Sequence, residues 1–160
     1  MKKILIFIIF LILTLFGIII DYDPNNNKEQ IELNEKQEKY TVKRVIDGDT
    51  FVLNNKQKVR LLGIDTPEKG EFYYKEATER LKDLVEGKKV LLKKDVSDKD
   101  RYGRLLRHVY LDDLWINAIM IKEGYARFVI YRPDISHVDK FKKLERDAKK
   151  NKLGIWSKKD

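Results

Sequence analysis

Three short apolar runs, each broken by a polar turn, decide what the middle of this 160-residue chain can fold into. Residues 40–46 (YTVKRVI) and 50–54 (TFVLN) flank Asp47-Gly48, a pair suited to a tight turn because glycine tolerates a positive φ. Asn54-Asn55 makes the next turn, and residues 57–64 (QKVRLLGI) form the third run. Short runs bounded by turn residues read as strands. A helix is expected over residues 71–86, where Tyr73, Ala77, Leu81 and Leu84 recur at helical spacing and Gly87 is placed to end it. KKVLLKKD and GRLLRHVYL read as a fourth and a fifth strand. Asp112-Asp113 then turns the chain into a short helix, LWINAIMIKEG, closed by Gly124. Ser136, three residues before Asp139, is expected as the N-cap of a last helix, whose apolar stripe is Val138, Phe141, Leu144 and Ala148. Strands, an inserted helix, more strands and then helices predict an α+β fold: a five-stranded barrel with about three helices packed on it.

The N-terminus is of another kind. After Lys2 and Lys3, residues 4–20 carry no charge. As a helix that run would extend about 26 Å at about 1.5 Å per residue, against a hydrocarbon core of about 30 Å. It exceeds the usual signal-peptide core and ends in Phe16-Gly17-Ile18-Ile19-Ile20, without the small-residue pattern of a cleavage site. Residues 1–20 are therefore read as a hydrophobic helix, either a transmembrane anchor or a signal peptide. Lys2 and Lys3 favour a cytoplasmic N-terminus, which leaves the domain extracellular if the segment is retained and secreted if it is cut. Residues 21–39, rich in Asn, Glu and Lys, read as a polar linker, and residues 40–157 as the folded domain.

Composition narrows the chemistry. With no cysteine, disulfides, zinc–thiolate sites and thiol catalysis are excluded, and His108 and His137 are the only histidines. Residues 40–160 carry 29 basic and 20 acidic side chains, a net charge of +9. Such an excess suits a polyanionic partner: nucleic acid, an anionic membrane or an acidic polysaccharide. It equally describes a solvated basic face.

Within the domain, VRLLGIDTPEKGE sets Arg60 inside a strand and Asp65, Glu68 and Glu71 just beyond it. Asp49 sits at the earlier turn, and Arg104 begins the fifth strand after DRYG. Calcium takes several oxygen ligands, so two aspartates beside strand ends are candidates to hold it. Guanidinium is a planar fork matched to phosphate, although a lone strand arginine is usually an ion-pair partner. Two arginines, two aspartates and Glu68 at neighbouring strand ends would clamp a phosphodiester. The arginines would stabilise charge on phosphorus while a carboxylate positions or deprotonates water.

VIDGDT at 45–50, RLLGIDTPE at 60–68, DRYGRLL at 100–106, INAIMIKEGYA at 116–126 and KLGIW at 152–156 together resemble the staphylococcal nuclease-like (thermonuclease) family. The resemblance implies an OB-fold barrel and calcium-dependent endonuclease cleavage of DNA and RNA, leaving 3′-phosphate ends. It implies calcium binding by Asp49 and Asp65 through their carboxylates and by Thr66 through its carbonyl. It assigns Arg60 and Arg104 to the scissile phosphate, and Glu68 to the attacking water as general base or orienting group. Asp47 would support the metal site, and Tyr102 would line the nucleotide pocket. Tyr131, in FVIYRP, would stack a base or serve packing alone. The loop after DTPE is shorter than in the secreted staphylococcal type, and Glu71 is read as charge favourable to a helix N-terminus. DNA and RNA are the expected substrates, the membrane is reached through residues 4–20, and the chain is expected to be a monomer. The alternative is an OB-fold module that binds nucleic acid without cutting it.

Overall fold

A computed structural model of the protein describes residues 38–158, so the expected hydrophobic helix over 1–20 and nearly all of the linker lie outside the described residues. The unit that begins at Glu38 starts with strand β1 (Lys39–Asp47), which takes in Lys39 from the end of the expected linker. Strands β2 (Thr50–Leu53) and β3 (Lys58–Leu61) follow in an antiparallel meander, with Phe51 opposite Val45 and Thr50 opposite Arg60. After the inserted helix come β5 (Lys89–Lys93) and β6 (Leu105–Leu111). β6 closes the barrel by pairing parallel with β3 and antiparallel with β5, which pairs in turn with β1. The result is the closed five-stranded barrel expected from the sequence.

Two strands do double duty at the closure. β1 pairs through Lys39–Thr41 with β5 and from Val42 onward with β2, and its register shifts near Val42 and Val45 provide the bend this requires. β6 gives its first residues to β3 and its next ones to β5. Every residue of β2 is buried. The interior is apolar, with Val42, Phe51, Val59, Leu61, Val90 and Val109 at its centre.

Helix α1 (Tyr74–Val85) lies on β1 and buries Ala77, Leu81, Leu84 and Val85. Each large side chain buried this way contributes about 1.5–3 kcal/mol. The helix starts later than the expected residue 71. Tyr73 takes a left-handed φ of 71°, which a helix cannot pass through, and Glu71 is used in the turn before it. Gly87, at φ 74°, ends it as expected. Helix α2 (Ile116–Lys122) follows the short strand β7 (Leu114–Trp115), and Arg80 of α1 clamps Glu123 at its end through Nε and Nη2 at 2.7 and 2.9 Å. Buried Asn117 accepts the Val109 N–H at 2.8 Å and donates to the Leu62 and Arg107 carbonyls, so α2 is tied to β6 and to the end of β3.

Helix α3 (Val138–Lys150) packs through Phe141 and Ala148, part of the expected stripe. Its N-cap corrects the sequence expectation. His137 holds that place without a side-chain cap, while Ser136 donates its hydroxyl to Asp95 Oδ1 at 2.6 Å. The Asp95 carboxylate takes both the Ser136 hydroxyl and its N–H, so Ser136 ties the approach of α3 to the chain just past β5 instead of accepting from the helix. Among the described residues, no helix is long and apolar enough to cross a membrane.

Candidate active site

The β1–β2 turn carries the first carboxylates. Asp47 Oδ1 accepts the Asp49 N–H at 3.1 Å, which fixes the turn and swings the Asp49 side chain inward, where the residue is only 3% exposed. Gly48 is required here for space rather than for a positive φ. A Cβ at this position would lie 2.7 Å from Thr66 Oγ1 and 2.9 Å from the Ala77 Cβ. The turn therefore presses directly on the strand that carries the next carboxylate.

That strand is β4 (Ile64–Asp65), two residues long and paired antiparallel with β8 (Arg127–Phe128), Asp65 opposite Arg127. Arg60 on β3 bridges the two aspartates. Its Nη1 is paired with Asp49 Oδ1, and its Nη2 donates to Asp65 Oδ1 at 2.9 Å. Thr66 completes the cluster by directing its N–H and hydroxyl at Asp49 Oδ2, at the longer distances of 3.3 and 3.4 Å.

Arg104 reaches the same rim from the turn before β6. Asp100 holds it through Nε at 2.6 Å and accepts the backbone N–H groups of Tyr102 and Arg104 on its other oxygen. Those donors, the Arg104 side chain foremost, outweigh burial and hold the Asp100 carboxyl below its usual range. Thr50 joins the two halves: its hydroxyl donates to Asp49 Oδ1 at 2.8 Å and receives Arg104 Nη1 at 3.4 Å. The register explains the meeting, since Thr50 faces Arg60 across β2–β3 and Arg60 faces Leu106 across β3–β6. Tyr102 stands at the edge, 68% exposed, with the Arg104 guanidinium 5.5 Å from its ring centre.

Burial is the largest influence on Asp49 and pushes its carboxyl up to about 6, with Asp47 adding to the rise against Arg60 and the Thr50 hydroxyl. For Arg60, burial opposes the charge, but Asp49 and Asp65 more than compensate and raise it.

Glu68 lies at the exposed start of the next turn, and its N–H donates to Glu71 Oε2 at 2.7 Å. Glu71 thus holds the turn that presents Glu68 and does not act as charge on the helix itself. The Glu68 carboxylate forms no hydrogen bond or ion pair among the described residues, which leaves it free to meet water. Tyr131 is held elsewhere, paired with Asp134, which accepts the Val96 and Ser97 N–H groups at 2.8 Å. Among the described residues it forms no hydrogen bond or ring contact with Tyr102, Arg60 or Arg104.

The sequence reading assigned no role to Thr50 or Asp100, and both organise the site. Each sits inside a motif already singled out, and Asp100 precedes Arg104 by four residues, a spacing that could have suggested the pair. For a cation, the donors would be hard oxygens: the carboxylates of Asp49 and Asp65, which Arg60 brings together, and, as the family resemblance implies, the Thr66 carbonyl. Among the described residues, no cluster of three or more acidic or histidine side chains stands ready to hold a metal. Two adjacent carboxylates, Asp49 and Asp65, nevertheless fit a calcium ion that would complete its shell with carbonyl and water.

Residues 58–158 match the family described as staphylococcal nuclease homologue. The chain is 42% identical to an SPbeta prophage-derived endonuclease of Bacillus subtilis over 74% of its own length, though it spans only 44% of that protein. It is 38% identical to a thermonuclease of Staphylococcus hyicus, covering 78% of this chain and 79% of the relative. With a thermonuclease of Staphylococcus intermedius it shares 33% identity over 98% of this chain and 99% of the relative. The matched stretch takes in Arg60, Asp65 and Arg104 on one barrel rim and Glu68 on the turn beyond, and the chain belongs to the staphylococcal nuclease family.

Proposed function

We propose that this protein is a calcium-dependent nuclease that hydrolyses DNA and RNA to 3′-phosphate ends outside the cytoplasm. The observation that carries the reading is the bridge from Asp49 through Arg60 to Asp65, joined to Arg104 through Thr50. Two permanently charged forks and two carboxylates on one rim are what a phosphodiester needs. The names of the relatives, thermonuclease and endonuclease, support the same activity.

Arg104 binds a non-bridging oxygen of the scissile phosphate, Arg60 joins it by turning its η nitrogens from Asp49 and Asp65 to the substrate, and both stabilise the charge that grows as phosphorus becomes five-coordinate. Glu68 takes a proton from the attacking water. The bond from phosphorus to the 5′ oxygen breaks and that oxygen takes a proton from solvent water, so one product keeps a 3′-phosphate and the other leaves with a 5′-hydroxyl. Asp100 and Thr50 keep Arg104 aimed, and Tyr102 offers a ring to the neighbouring base. Calcium held by Asp49, Asp65 and the Thr66 carbonyl would supply Lewis-acid stabilisation of phosphate charge.

For location, we rest on the uncharged run 4–20 behind Lys2 and Lys3, which would leave the domain outside as an anchored or a released protein. The polar segment 21–39 would serve as its tether. The chain is proposed to act as a monomer.

The test is incubation of the purified protein with DNA and with RNA in calcium, followed by analysis of product ends. Fragments ending in 3′-phosphate are expected. Tight binding of both polymers without cleavage would instead mark a non-catalytic binding module.

A further inference from the structure

A row of contacts runs from Tyr102 through Arg104, Thr50, Asp49 and Arg60 to Asp65. Beyond its far end, Pro67 forms one wall of a cleft of about 380 Å³, with Phe72, Arg127 and Lys158 around a floor that includes Ile155. Arg127 is the residue paired across the β4–β8 ladder from Asp65, and Pro67 follows Asp65 by two residues, so the cleft lies beside the strand that carries that carboxylate. Phe72 is 47% exposed, a large apolar ring left open to solvent. It is also held in place. Its ring lies 5.2 Å from that of Tyr73, which in turn lies 5.7 Å from Tyr125.

We propose that Phe72 and this cleft form a second base-binding platform, which takes the nucleotide on the opposite side of the scissile phosphate from Tyr102. The proposal rests on the nuclease reading and adds to it where the substrate lies. An exposed, braced aromatic ring offers a base a face to stack on without regard to sequence. Arg127 and Lys158 supply positive charge for the adjoining backbone, while the one acid in the lining, Glu71, is already engaged by the Glu68 N–H. Glu68 and Phe72 stand four residues apart on one short turn. The ring that would hold the base is therefore carried by the same turn as the carboxylate that would meet the water.

Dinucleotides with a single phosphodiester, together with their two singly abasic counterparts, test this with the full-length protein in calcium. Phe72→Ala should raise KM for the intact dinucleotide about tenfold with kcat within about twofold. It should also erase the penalty for removing one of the two bases and leave the penalty for the other. Tyr102→Ala should do the reverse, and Phe72→Trp should restore the wild-type pattern. A Phe72→Ala enzyme with wild-type KM, or with a raised KM but both penalties intact, would overturn the platform. Failure of the wild-type protein to cut any phosphodiester in calcium would overturn the nuclease reading beneath it, an outcome distinct from either.

Discussion

Two regions of this domain bury polar groups, and they do so in opposite ways. On the rim, Asp49 is buried as a partner of Arg60, and both oxygens of its carboxylate meet donors. Beneath α3, His108 is buried against Trp115, His137 and Phe141, with its Nδ1, like the neighbouring Trp115 Nε1, meeting no partner. Burial drives the His108 pKa down to about 4, with His137 adding to the fall against Asp95 and Asp134. The rim keeps its charges by pairing them; the pocket suppresses charge and uses the imidazole as a packing ring. Burial disfavours charge in both regions, and the buried group that meets an opposite charge in direct contact, Asp49, is the one set among the arginines of the site.

Removing calcium should separate the two regions most sharply. A chelator should lower cleavage about 100-fold or more, and magnesium, reluctant to dehydrate, should restore it poorly. Thermal unfolding followed in parallel should show that the helical pocket stays intact. Full activity in excess chelator would contradict the assignment of Asp49 and Asp65.

Acid should act on the pocket. The folded pKa of His108 lies below that of the unfolded chain, so its contribution is intact above about 6.5 and is lost as pH falls toward about 4. The loss should be on the order of 2–3 kcal/mol, read from denaturant unfolding across that window. In His108→Leu this part of the pH dependence should vanish. An unchanged profile in the variant would assign the acid sensitivity to other groups.

Gly48→Ala probes the contact between the turn and β4. Its methyl would meet Thr66 and Ala77, so stability should fall by about 1–3 kcal/mol, with activity reduced as Asp49 shifts against Asp65. A variant as stable and active as wild type would show that the turn yields freely. Glu71→Gln should have the smallest effect. It weakens one charge-assisted hydrogen bond to the Glu68 N–H, so kcat should fall a few-fold with stability changed by about 1 kcal/mol or less. Unaltered kcat would show that Glu68 needs no such support.

How much of this was legible in the sequence follows from the length of each pattern. The five barrel strands and the apolar faces of α1 and α3 were readable because alternation and helical spacing persist over several residues. The β4–β8 ladder was not, since two residues on each side carry no period, yet it is what sets Asp65 and Arg127. Gly48 was recognised as a turn glycine for the wrong reason: its need for space comes from Thr66 and Ala77, which are distant in sequence. Ser136 followed a sound capping rule that Asp95, contributed by another element, overrode. Of the site, the arginines and the carboxylates of Asp49, Asp65 and Glu68 stood out, because such groups at strand ends are chemically conspicuous, whereas Asp100, in a turn, did not. Thr50 and Glu71 did not, because a threonine in a strand and a glutamate before a helix have ordinary roles that only the fold replaces.

Arg60 in its bridge serves as a phosphate site in this reading and not simply as an ion-pair partner. The most direct measurement is steady-state cleavage of DNA by Arg60→Lys, with unfolding followed in parallel. Lysine keeps the charge beside Asp49 but cannot present a planar fork. A kcat about 100-fold or more below wild type is expected, in a folded protein whose DNA affinity is little changed. Wild-type turnover in the folded Arg60→Lys variant would show that Arg60 is structural and would contradict it.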